Sequence, residues 1–303
     1  MSDKETFKQE LDARTAEIEQ LIGTYLPEET GHQKTIFEAM NYSMKAGGKR
    51  LRPMLMQEMC RLFTGTLLEA VIPFMAAVEM IHTSSLVHDD LPCMDDDMMR
   101  RGKASTWAEY GEDIGVLTGD ALMMYAFETA ANAFETSIDP DELSRIGRAM
   151  GILARKTGVY GMIGGQTVDV ELAGGPIPGD KLEFIYRLKT GALIEASMLI
   201  GAVLGGAAEE DCKIVESLAA KIGMAFQIQD DILDVVGDEA TLGKPIGSDV
   251  RSDKTTFVAL KGLADCRILV AELTDRAVEA LAPFGSEAES LRGLAQSLAG
   301  REK

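Results

Sequence analysis

The stretch "VEMIHTSSLVHDDLPCMDDDMMRRG" (Val78–Gly102) enters as an apolar helix pattern and leaves densely charged. Reading back from Asp89 at helical spacing gives Ser85, His82, Val78 and Phe74 or Met75, a face that starts apolar and turns polar toward its end. Pro92 opposes a continued regular helix, so the second carboxylate run, Asp95 to Asp97, is expected to return from a bent segment. A second stretch, "FQIQDDILD" (Phe226–Asp234), has the same character. Gln227, Asp230 or Asp231, and Asp234 recur at three- and four-residue steps and share a face that Ala220, Gly223 and Met224 continue upstream. Carboxylates at the C-terminal end of a helix gain nothing from its dipole, and packed together they repel. A hard divalent ion removes both penalties, and oxygen-only ligands suit Mg²⁺, which takes one or two carboxylates, waters and substrate phosphates. Two facing clusters of this kind point to a diphosphate held through metal ions.

Cations stand beside these motifs. "GGKRLRP" (Gly47–Pro53) supplies Lys49, Arg50 and Arg52 after two glycines. Arg100 and Arg101 follow the first acidic cluster, Lys189 lies in "RLKTGAL", and Lys244 and Lys254 follow the second cluster. One group is suited to clamp a metal-bound diphosphate, and another to bind a second diphosphate without metal. The bulk composition agrees with small-molecule chemistry. A formal charge of -19 argues against a general nucleic-acid partner, because phosphate backbones need clustered cations. The first twenty residues are polar, with no apolar signal core, and the best apolar stretch, Ala196 to Ala208, is too short to span a bilayer. Cys60, Cys93, Cys212 and Cys266 lie far apart and form no metal-ligand pattern, as expected of free thiols in a reducing cytoplasm.

The periodicity is helical nearly throughout. Phe7, Leu11, Ile18, Leu21, Ile22 and Tyr25 keep helical spacing up to Pro27. Breakers recur at Gly47–Gly48, Pro73, "SIDPDE" (137–142), "GGPIPGD" (174–180) and "GDEATLGKPIGSD" (237–249). There is no alternating strand of useful length, no tandem repeat and no composition break. The expectation is one all-α domain over residues 1–303, with about ten or more helices.

Taken together, these residues resemble the trans-polyprenyl diphosphate synthases, in particular the bacterial farnesyl and plastid-like geranylgeranyl types. The stretches that carry the resemblance are GGKRLRP (47–53), IHTSSLVHDDLPCMDDDMMRRG (81–102), GMIGGQTVDVE (161–171), KTGALIEA (189–196), FQIQDDILD (226–234) and GDEATLGKPIGSDVRSDKTT (237–256), in the family's order. The resemblance implies a helical bundle around a deep central cavity, a homodimer, and three Mg²⁺ ions with substrate bound. It makes Asp89, Asp95 and Asp230 direct metal ligands, with Asp90 and Asp234 acting through bound water. Arg100, Lys189, Lys244 and Lys254 would grip the allylic diphosphate. Gly48, Lys49, Arg52, His82 and Arg101 would hold isopentenyl diphosphate. Thr190 and Gln227, with Lys189, would line the reacting centre, their oxygen dipoles beside a forming allylic cation. Arg301 or Lys303 is a further candidate for the isopentenyl site. His88 reads as a structural helix position.

In this family the residue five before the first aspartate limits the growing tail, and here it is Ser84. Bacterial farnesyl synthases commonly carry an aromatic residue there, so the small side chain is a departure that leaves room for another five-carbon unit. Met80 and Ile81, one turn deeper, are the candidate floor, and methionine is deformable. The expected product has fifteen or twenty carbons. The alternatives are a terpene cyclase acting on one allylic diphosphate, which would leave Lys49, Arg52 and Arg101 without a purpose, and a non-catalytic helical regulatory subunit, in which the acidic motifs tend to be degraded.

Overall fold

The apolar stripes and breakers translate into helices joined by short turns. In the computed structural model, residues 3–236 and 255–300 are described; Lys244, Lys254, Arg301 and Lys303 lie outside them. The described residues form two compact units. The first draws on residues up to Gln57 and on Leu67–Met150, the second on Glu58–Thr66 and the residues from Gly151 onward.

The first unit contains α1 (Asp3–Gly23), α2 (Lys34–Met44), the first half of α3 (Leu51–Thr64), α4 (Ile72–Asp89), α5 (Thr106–Tyr110), α6 (Glu112–Ala131) and the start of α7 (Pro140–Thr157). Between α4 and α5 lies a two-rung antiparallel ribbon, Met99–Arg100 with Lys103–Ala104. Helix α4 has Pro73 in its first turn, where a missing N–H costs nothing, and its apolar run then goes almost wholly into the core. Phe74 through Ile81 are buried, including Glu79. The stretch Glu69–Asp89 is long and apolar enough to cross a membrane; its most apolar 18-residue window has mean hydropathy 1.5, and 72% of that window is buried inside the protein. Ala196 to Ala208 is therefore not the strongest candidate for such a span: α4 is longer, and its apolar run is interrupted only by scattered polar residues.

Helices α4 and α6 pack through glycines. A Cβ added at Gly119 would collide with the His88 ring, and one added at Gly115 would lie 3.0 Å from Leu91 Cδ2 and 2.9 Å from Trp107 Cβ. Met80, Ser84 and His88 form one stripe of α4 against α6. Thr129 Oγ1 lies 3.7 Å from Met80 Sδ, Ser84 Oγ donates to Gly119 O at 2.8 Å, and His88 Nε2 is 3.1 Å from Val116 O. His88 is thus structural, as expected.

The second unit contains α8 (Met162–Glu171), α9 (Gly179–Ile185), a π-helical turn (Tyr186–Gly191), α10 (Ala192–Leu204), the long α11 (Glu209–Val236), α12 (Phe257–Lys261), α13 (Leu263–Ala280) and α14 (Glu289–Ala299). Every residue of α10 is buried, which accounts for its lack of a polar face. Its Glu195 is neutralised by Lys156, which also reaches Glu216 at 3.4 Å. Backbones converge on the π-turn at two glycines. A Cβ at Gly223 of α11 would sit 2.9 Å from Gly191 Cα, and one at Gly165 of α8 would strike the Lys189 backbone nitrogen. Beneath the turn lies an apolar cluster that includes Ile185, Tyr186, Ile228, Ile232 and Phe257.

Candidate active site

In the first unit the acidic segment folds back as its proline predicts. Helix α4 ends at Asp89, and backbone bonds run from Asp95 N to Asp89 O (2.9 Å) and from Asp97 N to Asp90 O (3.1 Å). These two rungs bring the second carboxylate run beside the first. Trp107 Nε1 donates to Asp97 O at 3.0 Å and holds the returning strand. The fold-back requires Asp96 at φ 53° and Arg101 at φ 52°, and the preceding basic loop requires Arg50 at φ 48°. Left-handed backbone at a non-glycine residue costs about 1–3 kcal/mol and persists only where surrounding contacts over-determine it. All three such residues among those described lie in the basic loop or the acidic segment.

The contacts sort these charges into two groups. Asp90 is buried and accepts from Arg100 Nε at 2.9 Å and from the same guanidinium's Nη2, which also reaches Asp97 at 3.0 Å. Burial raises the Asp90 pKa against the opposing pull of Arg100. Burial also works against the Arg100 charge, but Asp90, Asp97 and Asp89 outweigh it and raise the Arg100 pKa. The second group is basic. Arg101 donates to Gly47 O, and the Gly48 Cα faces its guanidinium so closely that an added Cβ would lie 3.0 Å from Cζ. The φ of +143° at Gly48 is itself a glycine conformation. His82 stands among these cations. Desolvation first, then Arg52, Arg101, Arg50 and Arg100, hold its pKa well below the ordinary imidazole value, so it is neutral near pH 7. Gly48, Arg52, His82 and Arg101 are therefore gathered in one place, and Lys49 is exposed on the same loop.

Arg50 departs from the reading of "GGKRLRP" as three binding cations. Its side chain turns inward, to Glu79 at 2.8 Å, Glu19 at 3.3 Å and Met44 O at 2.7 Å. The left-handed backbone at Arg50 is what separates it from its neighbours.

In the second unit, the open choice on α11 resolves. Gln227 Oε1 accepts from Thr190 Oγ1 at 2.7 Å, and one turn on Asp231 accepts from Tyr186 Oη at 2.7 Å and from Phe257 N at 2.9 Å. Asp231 thus faces the π-turn, whereas Asp230 is half-buried on the adjoining side and Asp234 is buried. Lys189, also on the π-turn, is paired with Asp169 of α8 at 2.7 Å. Sequence reasoning does not single out Asp169 as a site residue; its signal within "QTVDVE" is the three-residue step from Gln166, which puts both on one helical face. Wide π-turns inside α-helices are frequent at functional sites.

The donor chemistry fits Mg²⁺. Among the described residues no three carboxylate, histidine or cysteine groups cluster closely enough to form a protein-only metal cage. Carboxylates such as Asp89 with Asp95, and Asp230 with Asp234, instead suit an ion whose shell is completed by water and substrate phosphate.

The chain matches the family model described as polyprenyl synthetase over residues 33–280. The chain belongs to that family. It is similar to a chloroplastic geranylgeranyl pyrophosphate synthase of Catharanthus roseus, 46% identical over 270 residues that cover 88% of this chain and 74% of the relative. It is similar also to the farnesyl diphosphate synthase of Escherichia coli, 39% identical over 302 residues, 98% of this chain and 99% of the relative. Among solved structures, the Helicobacter pylori geranyltransferase complexed with magnesium and isoprenyl diphosphate superposes with a TM-score of 0.80 at 29% identity, covering 97% of that chain and 99% of this one. Within this family the chain is a prenyltransferase of the short-chain trans type, with the all-α isoprenoid synthase fold.

Proposed function

We propose that this prenyltransferase condenses isopentenyl diphosphate with an allylic diphosphate (dimethylallyl, geranyl or farnesyl) in a Mg²⁺-dependent ionisation, condensation and elimination, ending at twenty carbons. The observation that carries the two-substrate reading is the basic group of Arg101, Gly48, His82 and Arg52, which adjoins the carboxylates that engage Arg100. It supports a metal-free diphosphate site, which a cyclase would not need. Ser84, in place of a bulkier wall, favours twenty carbons over fifteen, with Met80 and Ile81 as floor.

The residue roles are those that membership of the family implies, matched to the charges of this sequence. Asp89, Asp95 and Asp230 would hold the Mg²⁺ ions, with Asp90 and Asp234 supporting them. Bound Mg²⁺ supplies neutralisation of the departing diphosphate. Arg100 and Lys189, with Lys244 and Lys254, hold the allylic diphosphate by charge-assisted hydrogen bonds. Lys49, Arg52, Arg101 and neutral His82 hold the isopentenyl diphosphate, and the Gly48 backbone lets it approach. Thr190 and Gln227 turn oxygen dipoles toward the developing allylic cation, an electrostatic contribution that needs no reorganisation during reaction. The isopentenyl double bond attacks that cation, and the released diphosphate accepts the proton lost afterwards.

The family model crosses both compact units, which supports reading residues 1–303 as one catalytic domain. Helix α6 leaves Val116, Leu117 and Met124 exposed at 43%, 54% and 69%, which supports a homodimer through that face. Four cysteines without a disulfide among them support a cytoplasmic setting. The test is product chromatography after incubation with Mg²⁺, isopentenyl diphosphate and each allylic primer in turn. Chain elongation to a twenty-carbon diphosphate is expected. No elongation with any primer would overturn the proposal.

A further inference from the structure

We propose that Asp231, the second carboxylate of the "QDDILD" run, is a positioning residue for the π-turn and not a metal ligand. The geometry is a two-rung ladder between α11 and the turn. Asp231 and Gln227 lie four residues apart on α11, and Tyr186 and Thr190 lie four apart on the turn. Asp231 takes the Tyr186 hydroxyl at 2.7 Å and Gln227 takes the Thr190 hydroxyl at 2.7 Å, so the two segments run antiparallel in a fixed register. Lys189 sits between the rungs, and its backbone nitrogen is pressed against Gly165 on the other side.

Three features favour positioning over ligation. The Asp231 Oδ2 is already occupied by the Tyr186 hydroxyl and by the Phe257 backbone N–H at 2.9 Å. Its partners belong to the apolar cluster, where the Tyr186 and Phe257 rings lie 5.1 Å apart, centre to centre. A π-turn also lacks the regular i to i−4 register that would otherwise fix it, so an outside tether has work to perform there. Asp231 therefore sets where Lys189 and Thr190 point, and Asp230 and Asp234 are left for metal chemistry.

This inference rests on the assignment of Lys189 and Thr190 to the allylic site. The test compares Tyr186→Phe, Asp231→Asn, Asp231→Ala and Lys189→Ala by kcat, by KM for the allylic substrate and by the Mg²⁺ concentration giving half-maximal rate. Tyr186→Phe alters no carboxylate, yet it is expected to lower kcat by about tenfold or more, because small misplacements of reacting groups are costly. Its Mg²⁺ requirement should stay at the wild-type value. Asp231→Asn, which keeps an acceptor oxygen, should recover part of the loss seen in Asp231→Ala. The double variant Asp231→Ala/Tyr186→Phe should be no worse than Asp231→Ala alone. Wild-type kcat in Tyr186→Phe, or a strongly raised Mg²⁺ requirement in Asp231→Asn, would overturn the proposal. Unchanged kcat in Lys189→Ala would instead overturn the assignment on which it rests, so the two failures are distinguishable. If Asp231→Ala does not fold, Tyr186→Phe and Asp231→Asn still decide.

Discussion

Replacing Glu79 by Ala tests how the basic loop is held. Glu79 is 2% exposed and Arg50 is 4% exposed, with 2.8 Å between Nη1 and Oε1. Breaking a buried pair by removing one partner leaves an uncompensated charge and costs about 3–5 kcal/mol. Arg50 keeps the Met44 carbonyl and a weaker contact at 3.3 Å with Glu19, whose side chain is 44% exposed, so the lower end applies. At about 2–4 °C per kcal/mol, a loss of about 3 kcal/mol lowers the melting temperature by about 6–12 °C. Thermal unfolding followed by circular dichroism reads this directly. The double variant Arg50→Met/Glu79→Leu should recover most of the loss, because well-packed apolar residues replace buried ion pairs at little or no cost. It should still raise KM for isopentenyl diphosphate, since Arg50 fixes the backbone between Lys49 and Arg52. An unchanged melting temperature in Glu79→Ala, or a double variant no more stable than the single one, would refute the reasoning.

Ser84→Tyr should shift the product distribution toward shorter chains by chromatography; an unchanged distribution would mean that Ser84 does not line the tail path. Gly119→Ala forces a Cβ into the His88 ring and should destabilise by about 1–3 kcal/mol, with recovery in Gly119→Ala/His88→Ala; equal stability of Gly119→Ala and wild type in urea would contradict the packing. His82 has a folded pKa below its unfolded value near 6.5, so as pH falls below that value the unfolded chain binds the extra proton. Stability should be fully present above about pH 6.5 and fall below it by up to about 1.4 kcal/mol per pH unit, and His82→Gln should flatten that part of the curve. A slope unchanged by the substitution would assign it to other groups.

The helical architecture was legible because the apolar spacing and the breakers agree along the chain. Pro92 announced the fold-back that brings Asp95 beside Asp89, and the backbone bonds follow that reading. The grouping of Gly48 with Arg101 was legible only through the family resemblance, since they lie 53 positions apart in sequence. What could not be read was side-chain direction inside the motifs. Arg50 looks identical to Arg52 in composition, and only a left-handed backbone turns it toward Glu79. Asp230 and Asp231 are adjacent and fit the same periodicity within the tolerance of helical spacing, and only Tyr186 and Phe257 separate them. Tyr186 and Asp169 were missed because their roles arise from long-range pairing with Asp231 and Lys189, for which no local pattern exists.

The central claim is that an allylic diphosphate ionises here in order to be extended by a second diphosphate substrate. The most direct measurement is diphosphate release from geranyl diphosphate in the presence of Mg²⁺, with and without isopentenyl diphosphate. Release matched by elongated product only when both substrates are present is the predicted result. Equally fast release without isopentenyl diphosphate, yielding an olefin or alcohol, would contradict the account.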